Sequence, residues 1–259
     1  MGRGARSVWR MTRLFDNLDA RVWGADVAHD YDRATAEMSA PDVIGPTVDF
    51  LLEHAAGGRV AEFAIGTGRV ALPLTAAGAE VHGIELSEAM VAELRRKPGG
   101  SGLDVVIGDM ATTRLPGEFA LVYLVFNTIT NLLAQDQQAA CFENAARHLG
   151  TKGSFVVETF VPLLRRLTAG DNFKPFDVSP EHVGIDEIDT VEQQLVSHHY
   201  DFFEGRAKYS QSLHRYVWPS ELDLMAAHAG LRRTERWADW SRAPFTEEST
   251  SHVSVWVKG

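Results

Sequence analysis

Glu62-Phe63-Ala64-Ile65-Gly66-Thr67-Gly68-Arg69 joins an apolar run to an amphipathic one. Small residues between a strand and a helix let a ligand approach the backbone, and the helix start offers free N–H groups. Working outward from this loop, the patterning predicts strands over 59–65, 80–85, 104–107, 119–126 and 154–160, with helices over 69–77 and 88–96. A further helix places Phe142, Ala145, Ala146 and Leu149 on one face and stops at Gly150. Strands that alternate with helices pair in parallel. Upstream, Ile44, Val48, Leu51 and Leu52 recur at helical spacing from Pro41 to the stop at Gly57-Gly58. The order changes after the fifth strand. Residues 162–190 read as irregular, and 191–218 as two long strands joined near Glu204-Gly205, an inserted β-hairpin. A helix over 219–229 leads to strands over 232–238 and 252–257. Their connection holds no helix, so they are expected to be antiparallel neighbours.

With 259 residues, 45% hydrophobic and 23% charged, the chain can bury one large core, so a single domain is expected over 1–259. Its parts are an arm and cap over 1–40, a ligand-binding core over 41–160, the insertion over 161–218, and a closing helix and strand pair over 219–259. The 25 Lys and Arg against 35 Asp and Glu leave a net charge of −10, which opposes binding to nucleic-acid phosphates. The single Cys141 can close no intrachain disulfide, which suits a reducing cytoplasm. Residues 1–13 carry Arg3, Arg6, Arg10 and Arg13 with no apolar run behind them, so no secretory leader is expected, and no stretch reaches membrane-spanning length.

Glu85 closes the second predicted strand about 20 residues after the loop, the place from which a carboxylate accepts both ribose hydroxyls. Asp109-Met110 ends the third, where a carboxylate can accept from an adenine amino group while the next N–H donates to a ring nitrogen. Three such features at successive strand ends point to a nucleotide-like cofactor at the carboxyl edge of the sheet. Gly66, Gly68 and Ala71 also satisfy the G-x-G-x-x-A pattern of an NAD-dependent oxidoreductase, with Glu85 on its ribose. Against that alternative stand Asp109-Met110 and the helix-free strand pair. A non-catalytic cofactor-binding module is the other alternative, and it requires a closed or filled substrate cleft.

These residues resemble the class I S-adenosylmethionine-dependent methyltransferases. Their first motif has an acidic residue and then three glycines at alternate positions; Glu62, Gly66 and Gly68 match, and Ala64 replaces the first glycine. The resemblance covers about 43–160 plus the C-terminal strands. It implies a doubly wound, mostly parallel seven-stranded α/β sheet whose last pair is antiparallel. It implies S-adenosylmethionine as cofactor, with Glu62, Ala64, Gly66 and Gly68 around its methionine part, Glu85 and Leu86 at the ribose, Asp109 and Met110 at the adenine, and Tyr31 and Phe126 completing the set.

A nearer resemblance is to small-molecule N-methyltransferases, including those that act on aminosugars. It rests on Tyr31, on Phe126-Asn127-Thr128-Ile129-Thr130-Asn131-Leu132, and on the hairpin with His198 and His214. Aminosugar enzymes look to have a histidine where this chain has Asn131, which can hydrogen-bond but cannot act as a base at neutral pH. The implied reaction is in-line methyl transfer to a small molecule, with nitrogen favoured over oxygen, and it requires no nucleophilic residue. Asn131, His199, His214 and Glu158 are the candidates for catalysis. His198 and His199 point to opposite faces of a strand, so one of them at most faces the cofactor. Trp218, Trp237, Trp240 and Trp256 suit either an aromatic pocket or the core. No metal is expected, since no clustered carboxylates follow the fourth and fifth strands. The hairpin suits a lid over the acceptor or a homodimer interface.

Overall fold

The computed structural model describes residues 24–203 and 205–259. The basic start with Arg3, Arg6, Arg10 and Arg13 lies outside them. Helix α1 (Ala25–Ala34) and a 3-10 turn (Ala36–Ser39) precede α2 (Pro41–Ala55). Pro41 opens α2, where its missing N–H costs nothing, and Ala56 ends it in the left-handed conformation. There follow β1 (Val60–Phe63), α3 (Ala71–Ala76), β2 (Val81–Glu85), α4 (Glu88–Arg96), β3 (Asp104–Ile107), β4 (Phe119–Leu124), α5 (Gln135–His148) and β5 (Leu149–Phe160). The chain closes with α6 (Pro219–His228), β10 (Leu231–Trp237) and β11 (Ser251–Lys258).

These strands make one sheet of seven in the order β10-β11-β5-β4-β1-β2-β3. β1 to β5 pair in parallel, and β11 runs against both β5 and β10. Each face is covered. Ile44 and Leu51 of α2, Leu74 of α3 and Leu94 of α4 pack one side, while Phe142 of α5 and Leu222 and Met225 of α6 pack the other against Phe155 and Trp256. Burying a side chain of this size stabilises by about 1.5–3 kcal/mol. β1 has β2 on one side and β4 on the other, so the loop after it opens at the point where strand order reverses, the usual ligand crevice of such sheets.

Three expectations need correction or added detail. Gly150 does not stop α5; the helix ends at His148 and β5 begins at Leu149, with Lys152 at φ 64 in a bulged stretch that reads as a turn in the sequence. Within the stretch 1–40 expected as arm and cap, residues Ala25–Ala34 form a helix that carries Tyr31. The irregular stretch 162–190 holds two strands, β6 (Phe173–Val178) and β7 (His182–Asp189). With β8 (Gln194–Phe203) and β9 (Arg206–Arg215) they form a second, antiparallel sheet, so the inserted hairpin is the half of a four-stranded sheet that shows in the sequence. Pro175, Gly184 and a register shift between Pro175 and Asp177 break the alternation that would have revealed the other half.

Candidate functional site

The loop after β1 turns through left-handed conformations at Ala64 (φ 55), Gly66 (φ 57) and Gly68 (φ 81). Its two glycines serve different ends. A Cβ on Gly68 would lie 2.4 Å from Leu94 Cδ1, so this position lets α4 pack on the loop, whereas a Cβ on Gly66 would meet nothing and project into open space. That space is a cavity of about 400 Å³. Gly66 N–H donates to Glu85 Oε2 at 2.8 Å, and Ser87 N–H donates to Oε1 at 2.8 Å. Burial raises the Glu85 carboxyl pKa, opposed by the N–H groups of Ser87, Gly66 and Leu86. Each oxygen keeps a lone pair for a ligand hydroxyl. Asp109 is pinned similarly, its Oδ1 accepting from Ala111 N–H at 2.7 Å.

Tyr31, Ala64, Gly66 and Glu85 line this cavity, as do Leu86, Asp109 and Met110. Glu62, Gly68 and Phe126 do not. Glu62 sits behind the loop, 3% exposed, accepting from the Tyr123 hydroxyl at 2.7 Å. Burial pushes its pKa up to about 8, against the Tyr123 hydrogen bond and the Arg69 charge. Phe126 faces a second cavity and carries the Arg69 guanidinium 5.0 Å above its ring.

α1 is tied across the cleft by one carboxylate. Asp32 accepts from Thr67 Oγ1 at 2.6 Å and from Lys97 Nζ at 2.7 Å, while Lys97 also donates to Thr67 O at 2.7 Å. This latch holds Tyr31 over the loop, where burial raises its phenol pKa and the Arg69 charge opposes the rise.

The second cavity, about 700 Å³, lies between the carboxyl edge of the large sheet and one face of the small one. Tyr31, Thr128, Asn131, Ser212 and His214 line both cavities. The turn between them passes through two left-handed non-glycine residues, Phe126 (φ 57) and Asn127 (φ 60). Glu158 holds that turn: its Oε2 accepts from Phe126 N–H at 2.9 Å and its Oε1 from Trp240 Nε1–H at 3.0 Å. Of the four catalytic candidates, Glu158 alone lines neither cavity. Its role is to cap the turn.

His199 lines the second cavity, and His198 points away to Tyr209, in keeping with strand alternation. His214 is locked. Thr130 Oγ1 gives its proton to Asn127 O at 2.7 Å, so it accepts from His214 Nδ1–H at 3.2 Å, and His214 Nε2 then accepts from Ser212 Oγ–H at 2.9 Å. Burial, with His199 nearby, lowers the His214 pKa to about 4. None of the four tryptophans lines either cavity; Trp256 is wholly buried and donates to Asp223. Among the described residues no group of three or more His, Cys, Asp or Glu is placed to hold a metal, and no helix is long and apolar enough to cross a membrane.

A methyltransferase-domain family model matches residues 60–153. Among solved structures, the CcbJ methyltransferase from Streptomyces caelestis is 35% identical, with TM-score 0.82 over 93% of this chain and 100% of that one. The chain belongs to the S-adenosylmethionine-dependent methyltransferases. Membership of this family makes S-adenosylmethionine the cofactor and removes the oxidoreductase alternative. The fold is shared with two more distant structures. One is CalS10, an amino pentose methyltransferase from Micromonospora echinaspora (22% identity, TM-score 0.66, 84% of this chain and 91% of that). The other is the sugar N-methyltransferase KedS8 from Streptoalloteichus sp. (19%, 0.63, 88% and 91%). No curated protein matches by sequence.

Sequence reasoning missed much of the second cavity's lining. Lys174 and Phe176 of β6, Asp186 of β7, and Ser197 of β8 line the second cavity beside His199. Only residues on β8 and β9 had a readable signal. β6 and β7 showed none, because Pro175 and the shifted register hide their period.

Proposed function

We propose that this methyltransferase moves a methyl group from S-adenosylmethionine to a nitrogen atom of a small organic molecule held in the 700 Å³ cavity. The observation that carries the proposal is the wall of five residues common to both cavities, which lets two ligands meet in line. The open second cavity speaks against a non-catalytic module.

In this reading Glu85 accepts the ribose hydroxyls, Asp109 and Met110 take the adenine, and the Ala64–Gly66 loop faces the methionine part with Tyr31 closing above it. The bound cofactor supplies an electrophilic sulfonium methyl. The chain aligns the partners, excludes water through α1 and the small sheet, and presents a neutral hydrogen-bonding group at Asn131. Nitrogen is preferred to oxygen because an amine needs only to shed its ammonium proton. An alcohol needs a metal or a strong base, and the His199 imidazole in the second cavity, its pKa lowered by burial, is a weak base better matched to an ammonium. The amino pentose and sugar N-methyltransferases of the same fold act on compounds of this kind. A cytoplasmic setting belongs to the proposal and rests on the lone Cys141, buried in α5.

The test incubates the protein with methyl-labelled S-adenosylmethionine and matched pairs of amines and alcohols on the same carbon skeletons, read by mass spectrometry. Label in N-methyl products is expected. Label in the alcohols alone would overturn the nitrogen preference, and tight cofactor binding with no labelled product would favour the non-catalytic module.

A further inference from the structure

The small sheet presents three titratable side chains in a row on successive strands. Asp177 of β6 accepts from His182 of β7, Oδ2 to Nδ1, at 2.5 Å, and His182 Nε2 lies 3.1 Å from His199 Nδ1 of β8. Two local features bring them together. The register shift between Pro175 and Asp177 sets Asp177 opposite Gly184, on the face that carries Phe176. Gly184 is also opposite His199, and a Cβ there would lie 2.2 Å from Phe176 Cε2. The missing side chain thus lets the Phe176 ring pack against His199 at 5.4 Å and His182 at 6.1 Å.

The hydrogen bonds fix the protons when Asp177 is ionised. His182 Nδ1–H donates to Asp177, so His182 Nε2 must accept, and His199 Nδ1–H is its donor. His199 Nε2 keeps its lone pair, with no partner among the described residues, on a ring that lines the acceptor cavity. The outer end of the chain is wet, since the Asp177 side chain is 45% exposed and that of His182 22%.

We propose that Asp177, His182 and His199 form a proton relay from the acceptor cavity to solvent, with His199 as the catalytic base and the other two as positioning residues. The proposal rests on the methyl-transfer reading above. An amine arriving as ammonium first loses a proton to His199 Nε2; its lone pair then forms the N–C bond while the S–C electron pair leaves with sulfur. The proton taken up at Nε2 releases the one on Nδ1 to His182 Nε2, and His182 passes its Nδ1 proton to Asp177 and water. His214 cannot do this, because Ser212 and Thr130 occupy both its nitrogens. Asn131 has no basic nitrogen. His199 by itself would be a weak base, since burial and the neighbouring His182 lower its pKa. Asp177 offsets that by stabilising the charge that reaches His182. The groups around His199 are Asp201 and His198 on its own strand, His182 and Asp186 on β7, Lys174 and Asp177 on β6, and His214 on β9.

The test has two arms. In the first, nitrogen-15 NMR of the histidine side chains in the S-adenosylhomocysteine-loaded protein reads tautomers without any acceptor. His199 is expected with its proton on Nδ1 in the wild type and with mixed tautomers in Asp177→Asn. A wild-type proton on Nε2, or no response to Asp177→Asn, would overturn the relay whatever the enzyme methylates. In the second, alkylamines from the labelled panel serve as probes. His199→Gln is expected to lower kcat by about 100-fold, and Asp177→Asn by about 10-fold with partial rescue by Asp177→Glu, both with cofactor Kd unchanged. Loss of the acid limb of the kcat pH profile in His199→Gln is expected too. Unchanged kcat in both variants, or parallel losses of kcat, cofactor affinity and Tm, would show a structural cluster only. Correct tautomers with no amine methylated by the wild type would sink the nitrogen-transfer reading and with it the relay's catalytic role.

Discussion

On the cofactor side, the groups aimed into the cleft hang on the main chain. Glu85 is clamped by the N–H groups of Gly66 and Ser87, Asp109 by that of Ala111, and both stand at the ends of parallel strands. On the acceptor side, the wall is a row of side chains on an added sheet, held by one another: Ser197 donates to Asp186 at 2.7 Å, and His182 bridges Asp177 and His199. Backbone clamps depend on the fold and change little with sequence. Side-chain rows can be exchanged one residue at a time. On the proposed reading, the division puts cofactor choice in the fold and acceptor choice in the insertion.

The largest effect expected on this comparison comes from Glu85→Ala. It removes a charge-assisted acceptor together with the hydrogen bonds that the Gly66 and Ser87 N–H groups make to it. Cofactor affinity should fall by about 1.5–3 kcal/mol in a calorimetric titration. Asp186→Asn, on the other wall, should leave it unchanged. Equal losses from the two variants would erase the distinction.

Next in size is a pH effect behind the cofactor loop. The Glu62 carboxyl is raised to about 8 in the folded chain from 4.5. The folded state therefore holds a proton that the unfolded state releases, so this group's stabilisation is complete below about 4.5 and is lost as pH rises towards 8. In denaturant unfolding of the cofactor-free protein, the stability of the wild type relative to Glu62→Gln should fall by on the order of 2 kcal/mol between pH 5 and 7. The difference is read because His214 and His252, whose pKa values burial lowers to about 4 and about 3, make both proteins more stable as pH rises over that range. A wild-type minus Glu62→Gln difference that stays constant or grows with pH would refute the buried, protonated state.

The smallest effect concerns Ala64, where a Cβ sits at φ 55. Ala64→Gly relieves that strain and should raise thermal stability by about 0.5–1 kcal/mol. A loss on the same scale would mean that the extra freedom of glycine in the unfolded chain outweighs the strain.

The same contrast explains what could be read in advance. The β1 loop, Glu85 and Asp109-Met110 were legible because strand–helix alternation sets their spacing, and α4 and β3 were placed to the residue. Glu62 and Gly68 were assigned to the ligand by motif alone. In the structure one faces Tyr123 and the other Leu94, contacts across the fold that spacing does not report. Glu158 could be read either as orienting an amine or as capping a turn, because the Phe126 turn and Trp240, its partners, lie 32 and 82 positions away. The pair Asp177 and His182 was invisible for a different reason: a bulge, which has no period, decides which way Asp177 points.

The division of labour is tested most directly by opening the acceptor wall while leaving the cleft alone. Phe176→Ala and Lys174→Ala both alter side chains that line only the second cavity. For each variant, cofactor Kd and kcat/KM for an amine that the wild type methylates are measured on one preparation. The expected result is a Kd within about twofold of wild type and a kcat/KM lowered by about 10-fold, roughly 1.4 kcal/mol. Cofactor affinity falling in step with kcat/KM would contradict the separation of the two walls, as would an unchanged kcat/KM with only the oligomer size altered.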